Sequence, residues 1–122
     1  MDVLIVEDEL LVSRSLVDLL EYHGHHARVA DDALEAITML KHGRRPDVIV
    51  LDLMLPNMSG REFLEHKRAD PRLAGVPVVV FTGSSTREPP EGVVRLLRKP
   101  TTEDALLDAL RDATAQRAAD AV

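Results

Sequence analysis

Four apolar runs of the chain each end in polar residues whose side chains could take part in metal and phosphate chemistry. Carboxylates follow two of the runs, a hydroxyl group follows the third, and an ammonium group follows the fourth. In an open parallel sheet the carboxyl ends of the strands line one crevice, where ligands bind, so these groups are expected to meet. The pattern therefore indicates a site for a metal ion and a phosphoryl group. The residues are Glu7 and Asp8 after run 3–6, Asp52 after run 48–51, Thr82 after run 78–81 and Lys99 after run 93–97.

The length and composition of the chain fit one domain over residues 1–122. Of these residues 45% are hydrophobic, which is enough for a packed core without disulfides or a structural metal. The sequence has no cysteine, which excludes a disulfide framework and a thiolate metal site. Acidic residues interrupt the apolar stretch at the start of the chain. A signal peptide or a membrane span would not tolerate charged residues at these positions. We therefore expect a cytoplasmic protein that does not contact the membrane.

The charge of the chain argues against nucleic acid as a direct partner. The formal net charge is -6, and no basic run stands out. One tyrosine and two phenylalanines are the only aromatic residues, too few for stacking on bases. We expect no direct contact with DNA or RNA.

Strands and helices are predicted to alternate along the chain. Runs rich in β-branched residues predict strands, and apolar residues spaced three to four apart predict helices between them. Ser59 and Glu62 form a capping box that places one helix start near residue 60, and Gly24 is expected just after another helix. This order favours a parallel sheet with right-handed crossovers. Strands are predicted at 3–6, 26–29, 47–51, 76–81 and 93–97, and helices at 10–22, 33–40, 60–69 and 102–118.

Four short motifs, in this order and at this spacing, resemble a response-regulator receiver domain of the chemotaxis-regulator type. They are Val-Leu-Ile-Val-Glu-Asp-Glu at 3–9, Val-Ile-Val-Leu-Asp-Leu-Met-Leu-Pro at 48–56, Val-Phe-Thr-Gly at 80–83 and Arg-Lys-Pro at 98–100. Each motif is weak alone, but four in register make a specific signal, and the resemblance runs from residue 1 to about residue 115. The resemblance implies an α/β, flavodoxin-like, doubly wound fold with five parallel strands in the order 2-1-3-4-5.

The resemblance also implies a role for each acidic residue of the site. Asp52 would be the phosphoacceptor, taking a phosphoryl group from a phosphohistidine. The expected cofactor is Mg²⁺, held directly by Asp8, Asp52 and the backbone carbonyl of Met54, with Glu7 acting mainly through water. Taken alone, the acids at 7–9 could equally favour the N-terminus of the helix that follows them.

The hydroxyl and ammonium groups are implied to bind the phosphoryl oxygens. Thr82 would donate its hydroxyl, and Lys99 would contact Asp52 before phosphorylation and a phosphoryl oxygen afterwards. The bond between Lys99 and Pro100 is often cis in this family. By the same resemblance the chain is a signalling domain of a two-component system or phosphorelay and not an enzyme acting on other substrates. Its partners would be a sensor histidine kinase or phosphotransfer protein and a downstream effector protein or domain, with a homodimer possible.

The chain departs from this family in the element that signals phosphorylation. Leu96 stands where receivers commonly carry Tyr or Phe, so we predict a switch that pairs Thr82 with a leucine. The segment from Thr82 to Lys99 is shorter than usual and contains Pro89-Pro90, which oppose a regular helix. We therefore predict that the fourth helix, between residues 84 and 91, is short or irregular.

Two other functions compete with the phosphoacceptor switch. A phosphorylation-independent interaction module with the receiver fold and an atypical output face would explain Leu96 and the shortened segment. A phosphatase with an aspartyl nucleophile would need a second acid two residues after Asp52, where the chain has Met54.

Overall fold

A five-stranded parallel sheet in the order β2-β1-β3-β4-β5 forms the centre of the molecule, which confirms the predicted fold class. The structure is a computed structural model that describes residues 1–83 and 90–120, with the side chains of 116–120 excepted. Helices alternate with the strands except between β4 and β5, where no helix lies within the described residues. The elements are β1 Asp2–Val6, α1 Leu10–Tyr22, β2 His26–Ala30, α2 Ala33–His42, β3 Val48–Leu51, α3 Gly60–Ala69, β4 Val78–Thr82, β5 Arg95–Arg98 and α4 Glu103–Asp120.

Side chains that alternate along the central strands build a separate core on each face of the sheet. Leu4 and Val6 of β1 pack on the face covered by α2 and α3. Val3 and Ile5 pack on the opposite face, against α1 and α4. Because both faces of β1, β3 and β4 are covered, these strands are continuous apolar runs without polar residues in between. The sequence pattern and the doubly wound architecture therefore agree.

The predicted helix signals are present in the structure. The Ser59 hydroxyl accepts a hydrogen bond from the Glu62 N–H at 3.1 Å, so the capping box begins α3 at Gly60. Gly24 has a φ of 83° and follows the end of α1. Its N–H donates to Glu21 O at 3.0 Å, which satisfies one of the last carbonyl groups of that helix.

Several boundaries differ from the predicted ones by one or two residues, and β4 and β5 both begin two residues later than predicted. We predicted β5 at 93–97, whereas it spans Arg95–Arg98. The chain approaches through a turn at Gly92, whose φ is 87°, and Val94 N–H donates to Val78 O before the paired register begins at Arg95. The predicted short or irregular helix at 84–91 falls largely on residues outside the described ranges.

No helix within residues 1–83 and 90–120 is long and apolar enough to cross a membrane.

A close backbone contact holds the start of α3 against the loop after β3. Gly60 N–H donates to Leu53 O at 3.2 Å. A Cβ atom added to Gly60 would lie 2.7 Å from Leu53 Cα and 2.8 Å from Asp52 O, and both are main-chain atoms. Only glycine allows α3 to approach the segment that carries Asp52 this closely.

We expect Gly60→Ala to lower the free energy of unfolding by about 1–3 kcal/mol, because the added methyl group must displace backbone. Helix propensity alone would favour alanine by roughly 1 kcal/mol. A decrease in the free energy of unfolding therefore indicates the steric contact, and an increase indicates helix propensity alone. The matched control is Gly75→Ala, since a Cβ there meets no described atom within 4 Å. Urea unfolding of both variants makes the comparison, and equal midpoints would contradict the close contact.

Candidate functional site

Backbone hydrogen bonds continue past the strand ends and bring the candidate residues together. Glu7 N–H donates to Ala30 O at 3.1 Å, and Asp52 N–H donates to Val6 O at 3.1 Å. Lys99 N–H donates to Thr82 O at 2.9 Å. Each residue is thus fixed by the strand beside it, and all four side chains begin at the carboxyl edge of the sheet.

Three donors hold the Asp52 carboxylate. Its Oδ1 accepts hydrogen bonds from Thr82 Oγ1 at 3.0 Å and from the Met54 N–H at 3.0 Å. Its Oδ2 accepts one from Lys99 Nζ at 3.2 Å. Asp52 is only 4% exposed, so both its oxygens are oriented by protein groups.

Glu7 is a second buried carboxylate, and it shares the same ammonium group. Its Oε1 forms an ion pair with Lys99 Nζ, while its Oε2 is buried and has no hydrogen-bond partner among the described residues. Burial, a hydrogen bond with Asp52 and the charge of Asp52 outweigh the effect of Lys99 and raise the pKa of Glu7 to about 7. Glu7 is therefore ready to take up a proton, or a cation, near neutral pH.

The other two charged groups are stabilised in their ionised forms. Burial alone would raise the pKa of Asp52, but a hydrogen-bond contact with Glu7, hydrogen bonds from the Met54 N–H and Thr82, and the Lys99 charge together hold it below its usual range. Burial would lower the pKa of Lys99, but its contacts with the two carboxylates outweigh burial and raise it. The site thus combines an ionised Asp52 carboxylate with a fixed positive charge.

The acidic residues fit a Mg²⁺ ion. One carboxylate oxygen from each of Glu7, Asp8 and Asp52 lies within 4.8 Å of the others. Oxygen donors of this kind are the ligands that Mg²⁺ prefers. The unpartnered Glu7 Oε2 is a further sign of fit, because a buried carboxylate oxygen without a donor is costly unless a cation or its water shell faces it. Asp8 is exposed, so this cluster is open to solvent.

A residue without a side chain lies beside the Asp52–Thr82 contact. Gly83 follows Thr82, and a Cβ added there would meet no atom of residues 1–83 and 90–120 within 4 Å. Met54, whose N–H donates to the carboxylate, is 66% exposed. Buried charged groups and an exposed residue thus lie next to each other in the site.

The structure brings together Glu7, Asp8, Asp52, Thr82 and Lys99, but Leu96 lies apart from them on β5. Leu96 is half-buried, pairs with Val80 in the sheet register and packs against the core on the α2 and α3 side. The bond between Lys99 and Pro100 is cis, as the resemblance implied.

The sequence reasoning missed one side chain that touches the site. The Lys99 ammonium lies over the ring of Phe81, 5.5 Å from its centroid. Phe81 sits in an apolar strand, where its residue type indicates only core packing. Its position directly before Thr82, at the strand end that faces the site, could have indicated a contact with the site residues.

Comparisons with known proteins give one consistent family. Residues 3–111 match the response regulator receiver domain family. The chain is 38% identical over 89 residues to chemotaxis protein CheY-3 of Vibrio cholerae, covering 72% of this chain and 68% of that protein. It is 37% identical over 86 residues to the probable transcriptional regulatory protein TcrX of Mycobacterium tuberculosis, covering 70% of this chain and 36% of that one. The chain thus aligns with little more than a third of the length of TcrX.

A solved structure supports the same grouping. The crystal structure of a response regulator receiver protein from Pseudomonas putida is similar with a TM-score of 0.84 and 29% sequence identity. The match covers 91% of this chain and 95% of that one. The likeness therefore extends over almost the whole of both chains.

We expect Asp52→Asn to lower the pKa of Glu7 from about 7 toward the ordinary range of carboxyl groups in the metal-free protein. The reason is that Asp52 raises this pKa through both a hydrogen bond and its negative charge. Titration of the carboxyl ¹³C shifts measures the midpoint. The control is Asp108→Asn, which removes an exposed carboxylate of α4 that pairs with Arg111. An unchanged Glu7 midpoint in Asp52→Asn would contradict the coupling.

Proposed function

Because the chain belongs to the response regulator receiver domain family, we propose that it is the phosphoacceptor switch of a two-component system and that Asp52 receives the phosphoryl group. The observation that carries the proposal is the environment of the Asp52 carboxylate. It is ionised and held by Thr82, the Met54 N–H and Lys99.

The reaction is a displacement at phosphorus. A carboxylate oxygen of Asp52 forms the new O–P bond, the N–P bond of a donor phosphohistidine breaks, and the imidazole leaves with the bonding electrons. Such a transfer needs positioning and charge stabilisation more than covalent help from the protein. The chain contributes both, because two hydrogen bonds orient Asp52 and Lys99 supplies a fixed positive charge beside it.

The acidic cluster is the proposed Mg²⁺ site. Asp8, Asp52 and the backbone carbonyl of Met54 would be direct ligands, and Glu7 would act mainly through water. When bound, Mg²⁺ would neutralise the repulsion between the acceptor carboxylate and the phosphoryl oxygens. Glu7 Oε2 is buried without a partner among the described residues, so it can face the ion or its water shell. Asp8 is exposed, so the ion can reach the cluster from solvent.

After transfer, Thr82 and Lys99 are the proposed contacts of the phosphoryl oxygens. Both already touch Asp52, so each needs only a small movement to reach a group attached to it. Thr82 ends β4 and Leu96 lies in the neighbouring β5, which makes these two residues the proposed switch. A half-buried leucine can change its rotamer but carries no polar group to report on the threonine.

The proposed partners follow from this chemistry. A sensor histidine kinase or a phosphotransfer protein would supply the phosphohistidine, and an effector protein or domain would read the phosphorylated state. A homodimer is one form that such a readout can take. The chain would assist only its own phosphoryl transfer and dephosphorylation and would not act as an enzyme on other substrates.

We expect the protein to gain the mass of one phosphoryl group when incubated with Mg²⁺ and acetyl phosphate. Asp52→Asn should abolish this uptake, because no oxygen nucleophile remains at that position. Asp108→Asn, the exposed control on α4, should be phosphorylated like the wild type. Intact mass spectrometry measures uptake, and amide NMR shifts around Thr82 and Lys99 report the response. No uptake and no shifts would instead favour the phosphorylation-independent module.

We expect Asp8→Asn to weaken Mg²⁺ binding by about tenfold or more, since even outer ligands of metal sites contribute this much. The matched control is Glu9→Gln, which removes the neighbouring exposed acid outside the carboxylate cluster. Isothermal titration with MgCl₂ measures both affinities. Equal affinities in the two variants would rule out Asp8 as a ligand.

A further inference from the structure

The aromatic ring of Phe81 is placed to act on the charged centre of the site. Phe81 precedes Thr82 at the end of β4, and successive side chains of a strand point to opposite faces of the sheet. Thr82 contacts Asp52, whereas the ring of Phe81 lies under the Lys99 ammonium at 5.5 Å from its centroid. Two adjacent residues of one strand thus contact the two partners of one ion pair.

The ring itself is held by its surroundings. Phe81 pairs with Leu97 in the register of β4 and β5 and packs against the core on the α1 and α4 side. It also lines a groove of about 340 Å³ between α1 and the start of α4. The half-buried ring is packed on one side by the core, whereas the lysine that it contacts has a flexible four-carbon stem.

The contact distance and the charge state favour an attractive interaction. An ammonium within about 6 Å of a ring centroid is attracted by the electrons of the ring face. Lys99 is ionised because two carboxylates face it, and its side chain is 18% exposed, so water screens the contact only in part. The ring face and the two carboxylates therefore restrict the ammonium from different directions.

We propose that Phe81 is a positioning residue for Lys99, whose ring holds the ammonium beside Asp52 before and after the phosphoryl group arrives. The consequence for phosphoryl transfer rests on the function proposed above, whereas the contact between ring and ammonium is independent of that function. A leucine at position 81 could fill the same apolar space but would offer no ring face, and this difference separates positioning from packing.

The experiment compares Phe81→Leu with Phe81→Tyr, which keeps the ring. In protein labelled with ¹³C-lysine, the Lys99 ε-methylene protons should be shifted upfield by the ring current in the wild type and in Phe81→Tyr but not in Phe81→Leu. The chain has only three lysines, so Lys41 and Lys67 serve as internal references. The phosphorylation rate with acetyl phosphate should fall roughly two- to tenfold in Phe81→Leu and remain near wild type in Phe81→Tyr.

Two further variants separate positioning from a general loss of packing. Leu19→Ala removes apolar volume from the same groove and should leave both the Lys99 shift and the rate unchanged. In a Lys99→Met background, Phe81→Leu should have no additional effect on the rate, because the ring then has no ammonium to hold.

The outcomes are distinguishable. An unshifted Lys99 methylene in the wild type, or equal rates for Phe81→Leu and Phe81→Tyr, would overturn the positioning role. A further loss of rate from Phe81→Leu in the Lys99→Met background would also overturn it. If the wild type takes up no phosphoryl group, the proposed function fails, while the lysine spectra still decide whether Phe81 holds Lys99.

Discussion

One ammonium group shared by two buried carboxylates is the interaction on which the site depends. Glu7 and Asp52 are 3% and 4% exposed, and burying each charge costs several kcal/mol unless it is paired. Lys99 contacts both, yet one positive charge cannot balance two negative ones. The unbalanced negative charge is on Glu7. Its raised pKa and its Oε2, which has no hydrogen-bond partner among the described residues, are the signs of this. The metal-free site is therefore short of one positive charge, and a proton or a divalent cation can supply it.

Most of the fold could be predicted from the sequence because local signals and long-range packing agree. The apolar runs are strands buried on both faces, and the capping box at Ser59 begins α3 as expected. The boundaries of β5 could not be predicted, because Val93 and Val94 have strand-forming side chains but precede the paired register. At the edge of a sheet, the neighbouring strand decides where pairing starts, and residue type alone does not contain that information.

The residues that form the site could be predicted from the sequence, but their detailed contacts could not. Parallel strands end at one edge, so Asp52, Thr82 and Lys99 had to lie near one another, and their hydrogen bonds agree with this. Which of the adjacent acids Glu7 and Asp8 turns inward depends on how β1 leaves the sheet, and the spacing of acids does not define this. The contact of Phe81 with Lys99 was missed for a similar reason, since an apolar residue in a strand is ordinarily assigned to the core.

The main-chain hydrogen bonds at the strand ends link the reactive residues to the cooperative unfolding of the molecule. Asp52 N–H is bonded to β1, and Lys99 N–H is bonded to the last residue of β4. Releasing Asp52 disrupts the junction of β1 and β3 at the centre of the sheet, whereas Lys99 is tied to β4 from the end of the edge strand β5. Openings at the centre of a sheet have free energies closer to that of global unfolding than openings at its edge. The positions of the reactive groups thus depend on the integrity of the sheet. A mutation that weakens the sheet anywhere reduces the population of competent sites, whereas the outer faces of the helices can diverge at little cost to the chemistry.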